Sequence, residues 1–429
     1  MTEISMGEDS SEQSGFRPSL GLFDATAIGV GAIIGGGIFV VTGISAGLAG
    51  SAFLVSMLIA AVISLFTASS FIQLTEWLPK EGSIYEYSYR LISPFAGFLT
   101  GWMWIFSNTF GGAAVSLGFA YYLIALWPVL PATYVAAIIC LVFTAINYYG
   151  IRESARLNNI LVAAKLLILA LFIILGLPHI SQSNFVPFKP FEVGVFYGAF
   201  YIFFAFGGFA RAAVVAEEIK DAKRNVPRAI ILALVISAIV YMLVGTVAVG
   251  LAGADRLASS NSPLAEAISA TGAKAAVLIV SVGGMLATAS VLLTSILGVS
   301  RMAYAMAKRK DLPEAVGKLD SKRNTPYYSV LITGFVMTLL VLLVDLTRVV
   351  AISTFALLFF YTLANVSALR LKTGKRVHSK ILPSLGMAMC LTFLAFAFFA
   401  SLQSWIIGAA SLLAGGMYYV AKQKIKPKT

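Results

Sequence analysis

The sequence predicts an all-α integral membrane protein of about twelve transmembrane helices, the first and sixth of them discontinuous. Three observations carry this reading. Long apolar runs recur along almost the whole chain, basic residues crowd into alternate loops, and glycine clusters interrupt two of the apolar runs at mid-membrane depth. Of 429 residues, 59% are hydrophobic and 12% are charged. A typical soluble domain carries about a quarter charged residues, so lipid rather than water solvates most of this surface.

A helix needs about 20 mostly apolar residues to cross a hydrocarbon core about 30 Å thick. By that rule spans fall at roughly 22–48, 52–77, 94–126, 132–149, 157–177, 193–216, 228–252, 275–307, 327–344, 347–369, 382–400 and 404–421. Residues 1–19 are polar, contain Glu3, Glu8, Asp9 and Glu12, and lack the apolar stretch of a cleavable signal peptide. They read as a disordered cytoplasmic tail. Residues 20–370 form the ten-helix core, 371–421 hold helices 11 and 12, and 422–429 are a basic cytoplasmic tail.

Orientation follows from the basic residues. With the N-terminus inside, internal segments hold 25 of the 31 Lys and Arg, whereas external loops hold four: Lys189, Arg256, Lys274 and Arg348. The remaining two, Lys165 and Arg211, lie within spans. This asymmetry is the positive-inside pattern, which predicts a multi-pass protein of the inner (plasma) membrane with both termini cytoplasmic. The net charge of +12 is therefore topological and calls for no nucleic-acid partner.

Other function classes lack their residues. Cys140 and Cys390 sit in apolar runs and read as small core residues, and His179 and His378 lie in loops. No Cys/His/carboxylate cluster has metal-ligand spacing, there is no P-loop, and no cofactor is implied. A channel needs repeated carbonyls or charge rings along its pore, and an enzyme needs a reactive constellation. Neither is present, so the chain is not read as an enzyme.

The first break is Gly29-Val30-Gly31-Ala32-Ile33-Ile34-Gly35-Gly36-Gly37, five glycines in nine residues. Each weakens a helix interior by about 1 kcal/mol relative to Ala. The second is Phe203-Phe204-Ala205-Phe206-Gly207-Gly208-Phe209. A single glycine pair suits close helix packing equally well. Two breaks five spans apart, at matching positions of two five-helix halves with opposite topology, point instead to a transporter's binding site. Half-helix N–H ends suit a carboxylate, and freed carbonyls suit an ammonium, the two groups of a zwitterionic amino acid.

At these residues the chain resembles the amino acid–polyamine–organocation family of transporters, over nearly its whole length. Gly31-Ala32-Ile33-Ile34-Gly35-Gly36-Gly37-Ile38-Phe39 is close to the family's G-x-I-I-G-x-G-I-F. Glu217-Glu218-Ile219-Lys220-Asp221-Ala222-Lys223-Arg224-Asn225-Val226-Pro227-Arg228-Ala229-Ile230 matches a second motif, with Ala222 in place of a usual proline. Gly82-Ser83-Ile84-Tyr85-Glu86-Tyr87 is a weaker third. The resemblance implies a five-plus-five inverted-repeat (LeuT-type) core with the substrate between helices 1 and 6. Carried over by residue, amides around Gly35, Gly36 and Gly37 hold the substrate carboxylate. Carbonyls of Ile33, Phe204, Ala205 and Gly207 take its ammonium, and Phe204 sits as an aromatic gate.

Lys165 is a lone cation in an apolar helix, at a cost of at least about 2.5 kcal/mol near the bilayer centre. Snorkelling is a poor fit, because Lys165 lies about 12 Å along the helix from Leu157. An amine desolvated in such surroundings can exchange a proton at cellular pH. The resemblance agrees, since proton-coupled members place a helix-five lysine where sodium-coupled relatives hold a cation. The expected partners of Lys165 are span-one carbonyls near Gly29 to Ala32 and hydroxyls among Thr288, Ser290 and Thr294.

Arg211 follows the second break beside Ala210, where some relatives carry a gating carboxylate. It is expected to pair with an acidic group such as Glu218, the alternative being a place in the inner vestibule that attracts anions. Glu217 and Glu218 themselves are expected to form interfacial ion pairs, or else a cytoplasmic latch. Asn108 or Gly111, with Met285, is expected to complete the side-chain pocket. The resulting expectation is proton symport of neutral amino acids, with substrate and protons as the partners and Lys165 as the coupling site; the alternative is an amino acid or amine exchanger in which Lys165 is a fixed structural cation.

Overall fold

The computed structural model describes residues 18–79, 83–128, 130–150, 155–320, 325–371 and 379–425. The expected N-terminal tail up to residue 17, Gly82 of the third motif, the last four residues of the basic tail, and several loop cations such as Lys80, Arg152 and Lys375 lie outside them. Among the described residues the chain is helical without a strand, as its composition predicts. Its helices are α1 (Leu22–Ile33), α2 (Thr42–Ala49), α3 (Phe53–Trp77), α4 (Ser83–Leu91), α5 (Pro94–Leu126), α6 (Ala132–Tyr148), α7 (Ala155–Gly176) and α8 (Val193–Phe206). They continue with α9 (Arg211–Val214), α10 (Ala222–Ser259), α11 (Pro263–Ser269), α12 (Lys274–Lys308), α13 (Tyr327–Leu343), α14 (Leu346–Arg370), α15 (Ile381–Ala400) and α16 (Leu402–Ile425).

Nine stretches among the described residues are long and apolar enough to cross a membrane. The first, Leu22–Trp77, covers two expected spans and turns at Gly50, whose φ of 60° few side chains tolerate. Two shorter apolar helices, Ala132–Tyr148 and Tyr327–Leu343, occupy two further expected spans.

Local chemistry explains several boundaries. The Ser93 hydroxyl caps α5 by accepting from the Ala96 amide at 3.1 Å, and Pro94 opens the first turn, where its missing N–H costs nothing. Asp345 caps α14 in the same way through the Arg348 amide at 3.0 Å. In α10 the helical path breaks at Gly253, with φ of 73°. Just before that break, the Gly250 carbonyl takes the Ser181 amide (2.9 Å) and the Asn184 side-chain amide (2.8 Å).

α5 runs through the centre, packed against α12 and α14, while α1 lies against α10 and α7. α3 packs on α8, α10 and α15, and α16 lies outside on α14 and α5. This arrangement brings the two interrupted helices together beside α5.

Candidate functional site

Ile34 leaves helical geometry, with φ of −76° and ψ of 70°, and the Gly35 amide turns back onto the Ile33 carbonyl at 2.8 Å. Helical winding resumes at Gly36 and widens to a π-turn over Gly37–Val41 before α2. In the second break α8 stops at Phe206, the Gly207 amide closes onto the Phe204 carbonyl at 3.2 Å, and α9 starts at Arg211.

Glycine is required because the breaks touch backbone to backbone. A Cβ on Gly37 would sit 2.4 Å from the Ala205 Cα, and one on Gly208 would sit 2.3 Å from the Ala32 carbonyl carbon. Close packing and helix interruption, weighed as alternatives on the sequence, thus occur at the same residues.

Two buried tyrosines hold the freed carbonyls. The Tyr241 hydroxyl, from α10, lies 2.5 Å from the Ile33 carbonyl oxygen and 3.1 Å from that of Ala205, so one donor serves both breaks. The Tyr361 hydroxyl, from α14, donates to the Gly207 carbonyl at 2.7 Å. A carbonyl has two lone pairs, so those of Ala205 and Gly207 keep room for another donor, whereas that of Ile33 already takes the Gly35 amide as well. Sequence reasoning missed both residues. Their signal was available: a tyrosine deep in an apolar span needs a partner for its hydroxyl.

Between the breaks lies a cavity of about 90 Å³. Ile33, Gly36, Gly37, Phe204, Ala205 and Gly207 line it, as do Asn108 and Gly111 of α5. Gly35 and Met285 do not. Gly35 packs against α12, where an added Cβ would meet the Val291 side chain at 2.2 Å, and its amide is already engaged. Trp104, Ser107, Thr294 and Ser353 join the lining without having been expected as pocket residues.

Lys165 is 2% exposed and lies outside that lining. Its ammonium donates to the Gly31 carbonyl at 3.3 Å and to the Ser290 hydroxyl at 2.5 Å. It therefore joins α7 to the last turn of α1 and to the middle of α12 instead of snorkelling. Thr288 and Thr294, the other candidate partners, donate to carbonyls of their own helix.

The expected ion pair between Arg211 and Glu218 is not formed. The Arg211 guanidinium reaches toward α12 and α5, donating to the Thr294 carbonyl and to Asn108 Oδ1, each at 3.2 Å, and it lines the cavity. Glu218 belongs to a turn whose backbone is tied elsewhere. Its carbonyl accepts the amides of Ser19 (2.9 Å) and Leu20 (3.0 Å), and Lys220 N–H returns to the Leu20 carbonyl (2.9 Å). The acidic motif thus fastens the segment leading into α1 to the one leaving α9.

Residues 20–421 match the family model described as amino acid permease. The chain belongs to the amino acid permease family. An uncharacterized transporter of Mycobacterium tuberculosis is 34% identical over 413 residues, covering 95% of this chain and 92% of the relative. The branched-chain amino acid permease of Bacillus subtilis is 30% identical, covering 89% and 88%. Human cationic amino acid transporter 4 is 32% identical, covering 86% of this chain and 62% of its own length. The permease is accordingly a multi-pass membrane transporter and not an enzyme.

Proposed function

We propose that the permease carries amino acids into the cell by proton symport, with the cavity between the breaks as substrate site and Lys165 as coupling site. In this reading the chain has twelve spans, a five-plus-five inverted-repeat core and both termini in the cytoplasm. The Gly36 and Gly37 amides start the second half of helix 1, where first-turn N–H groups have no carbonyl of their own helix to bond, and they receive the carboxylate. The Ile33, Phe204, Ala205 and Gly207 carbonyls face the ammonium, with Tyr241 and Tyr361 holding three of them in place. Phe204 closes one side of the cavity. At about 90 Å³ the cavity has room for several waters and suits a small amino acid.

The observation that carries the coupling role is the position of Lys165 between α7, α1 and α12. Protonated, it holds these helices by charge-assisted hydrogen bonds; neutral, it releases the contact, so the proton acts as a second ligand with different affinity for two conformations. Proteoliposomes containing the purified permease test this. An inward proton gradient drives accumulation of the amino acid that binds, and a protonophore abolishes it. Counterflow that depends on internal amino acid, with no response to a proton gradient, would establish exchange instead.

A further inference from the structure

We infer that Arg211 makes the permease selective for substrates with a second anionic group, acidic amino acids of the size of aspartate. The inference rests on the cavity's being the amino acid site. It replaces the expectation of a neutral substrate.

Arg211 is the charged side chain in the cavity lining among the described residues, and no carboxylate lines the cavity with it. Its guanidinium offers five N–H donors, and both acceptors it meets are neutral: a backbone carbonyl and an amide oxygen. A cation taken out of water without a counter-charge is costly. Nothing on α5, α9 or α12 supplies that counter-charge, so a bound anion is the group that completes the site.

The geometry also fixes where the charge points. Asn108 uses its Nδ2 to donate to the Trp104 carbonyl at 2.9 Å, which turns its Oδ1 toward Arg211. The Thr294 carbonyl holds the other terminal nitrogen. Arg211 is thereby braced between two helices at the cavity wall, with unused donors for a carboxylate. Ser107 and Ser353, the neighbouring hydroxyls, are engaged with each other and with each other's backbone carbonyls. They leave Arg211 as the group that reads the side chain.

Backbone groups at the breaks bind what all amino acids share, so Arg211 decides among side chains. A cationic side chain meets a like charge, a neutral one leaves the guanidinium uncompensated, and a carboxylate can pair with it in the planar two-bond geometry that arginine favours.

The test compares near-isosteres that differ in charge. Binding of aspartate, asparagine, valine and lysine to the purified full-length permease is measured by thermal shift and by competition. Aspartate is expected to bind roughly tenfold tighter than asparagine, or more, with lysine weakest. In Arg211→Gln that preference disappears or reverses, and Arg211→Lys keeps part of it. Wild-type protein that binds asparagine or valine as well as aspartate overturns the inference, as does an Arg211→Gln variant with the preference intact. Should Arg211→Gln fail to elute as a single species, the wild-type aspartate-to-asparagine ratio decides alone. If none of the four binds the wild type, the inference falls, and if the other sixteen amino acids then fail to bind as well, the cavity is not an amino acid site and the proposed function falls with it.

Discussion

Lys165 and Arg211 are both cations inside the helical bundle, and they differ in what surrounds them. Lys165 is sealed among α7, α1 and α12, away from the cavity, and it contacts the backbone of the helix that breaks. Arg211 lines the cavity, and its guanidinium leans on α5 and α12. A charge that touches only protein changes how helices sit relative to one another. A charge at a cavity wall acts on whatever enters. In the proposed reading the same sign of charge suits two tasks, coupling and selection, according to which solvent-excluded surface it meets.

The largest expected effect separates those tasks. With one proton per substrate, a gradient of one pH unit supports about tenfold accumulation, since a tenfold ratio is about 1.4 kcal/mol. Lys165→Ala should lower accumulation in proteoliposomes to the equilibrium level while substrate binding, measured by thermal shift, persists. Lys165→Arg should keep the charge and also lose accumulation, because arginine does not exchange its proton. If Lys165→Ala accumulates substrate with unchanged pH dependence, the lysine has no coupling role and the comparison collapses.

Next is the close contact between the two breaks. Gly208→Ala places a Cβ against the Ala32 carbonyl and should cost about 1–3 kcal/mol of overpacking. The denaturation midpoint in detergent should fall by several degrees, and uptake should fall with it. Gly111→Ala is the control: its Cβ lies 3.4 Å from Phe204 and Ser353, ordinary contact distance, so stability should hold. Equal losses in the two variants would show that the breaks do not meet as closely as described.

Tyr241→Phe removes one hydroxyl from two buried carbonyls, a loss of about 1–3 kcal/mol. Substrate affinity should weaken by roughly fivefold or more, with the proton dependence of uptake retained. An unchanged Kd would mean that the carbonyls need no support to receive the ammonium. Ser290→Ala is milder, because Lys165 keeps the Gly31 carbonyl. It should shift the pH profile of uptake with little change in substrate preference, the converse of Arg211→Gln. The smallest expected effect is none at all: replacing sodium with choline at constant pH should leave uptake unchanged, and a stop would deny Lys165 the cation position.

Both breaks were legible in the sequence because glycine acts locally, each one weakening a helix interior by about 1 kcal/mol, although Gly29 and Gly31 stay inside α1 and the path leaves helical geometry at Ile34 and Gly35. Lys165 was legible for a similar reason. It is the odd residue in an apolar run, and the candidate partners included Gly31 and Ser290. Arg211 was visible as an anomaly but assigned the wrong neighbour, since nearness to Glu218 along the chain is no guide to where a long side chain points. Gly35 was counted with Gly36 and Gly37 because motif spacing does not tell which of three consecutive amides turns inward.

What the sequence determined by itself was whatever depends on composition along the chain: helical spans, their interruption, the membrane as solvent and the residues out of place in it. What the tertiary structure decided lies between residues far apart. The Tyr241 hydroxyl reaches a carbonyl 208 residues away, Lys165 one 134 residues away, and Arg211 an amide 103 residues away. Hydropathy and glycine content act through each residue's own backbone and solvent, so they can be read in place. A hydrogen bond between helices depends on their rotation and separation, which packing of the whole bundle sets, and that is why the two cations acquired different surroundings only on folding.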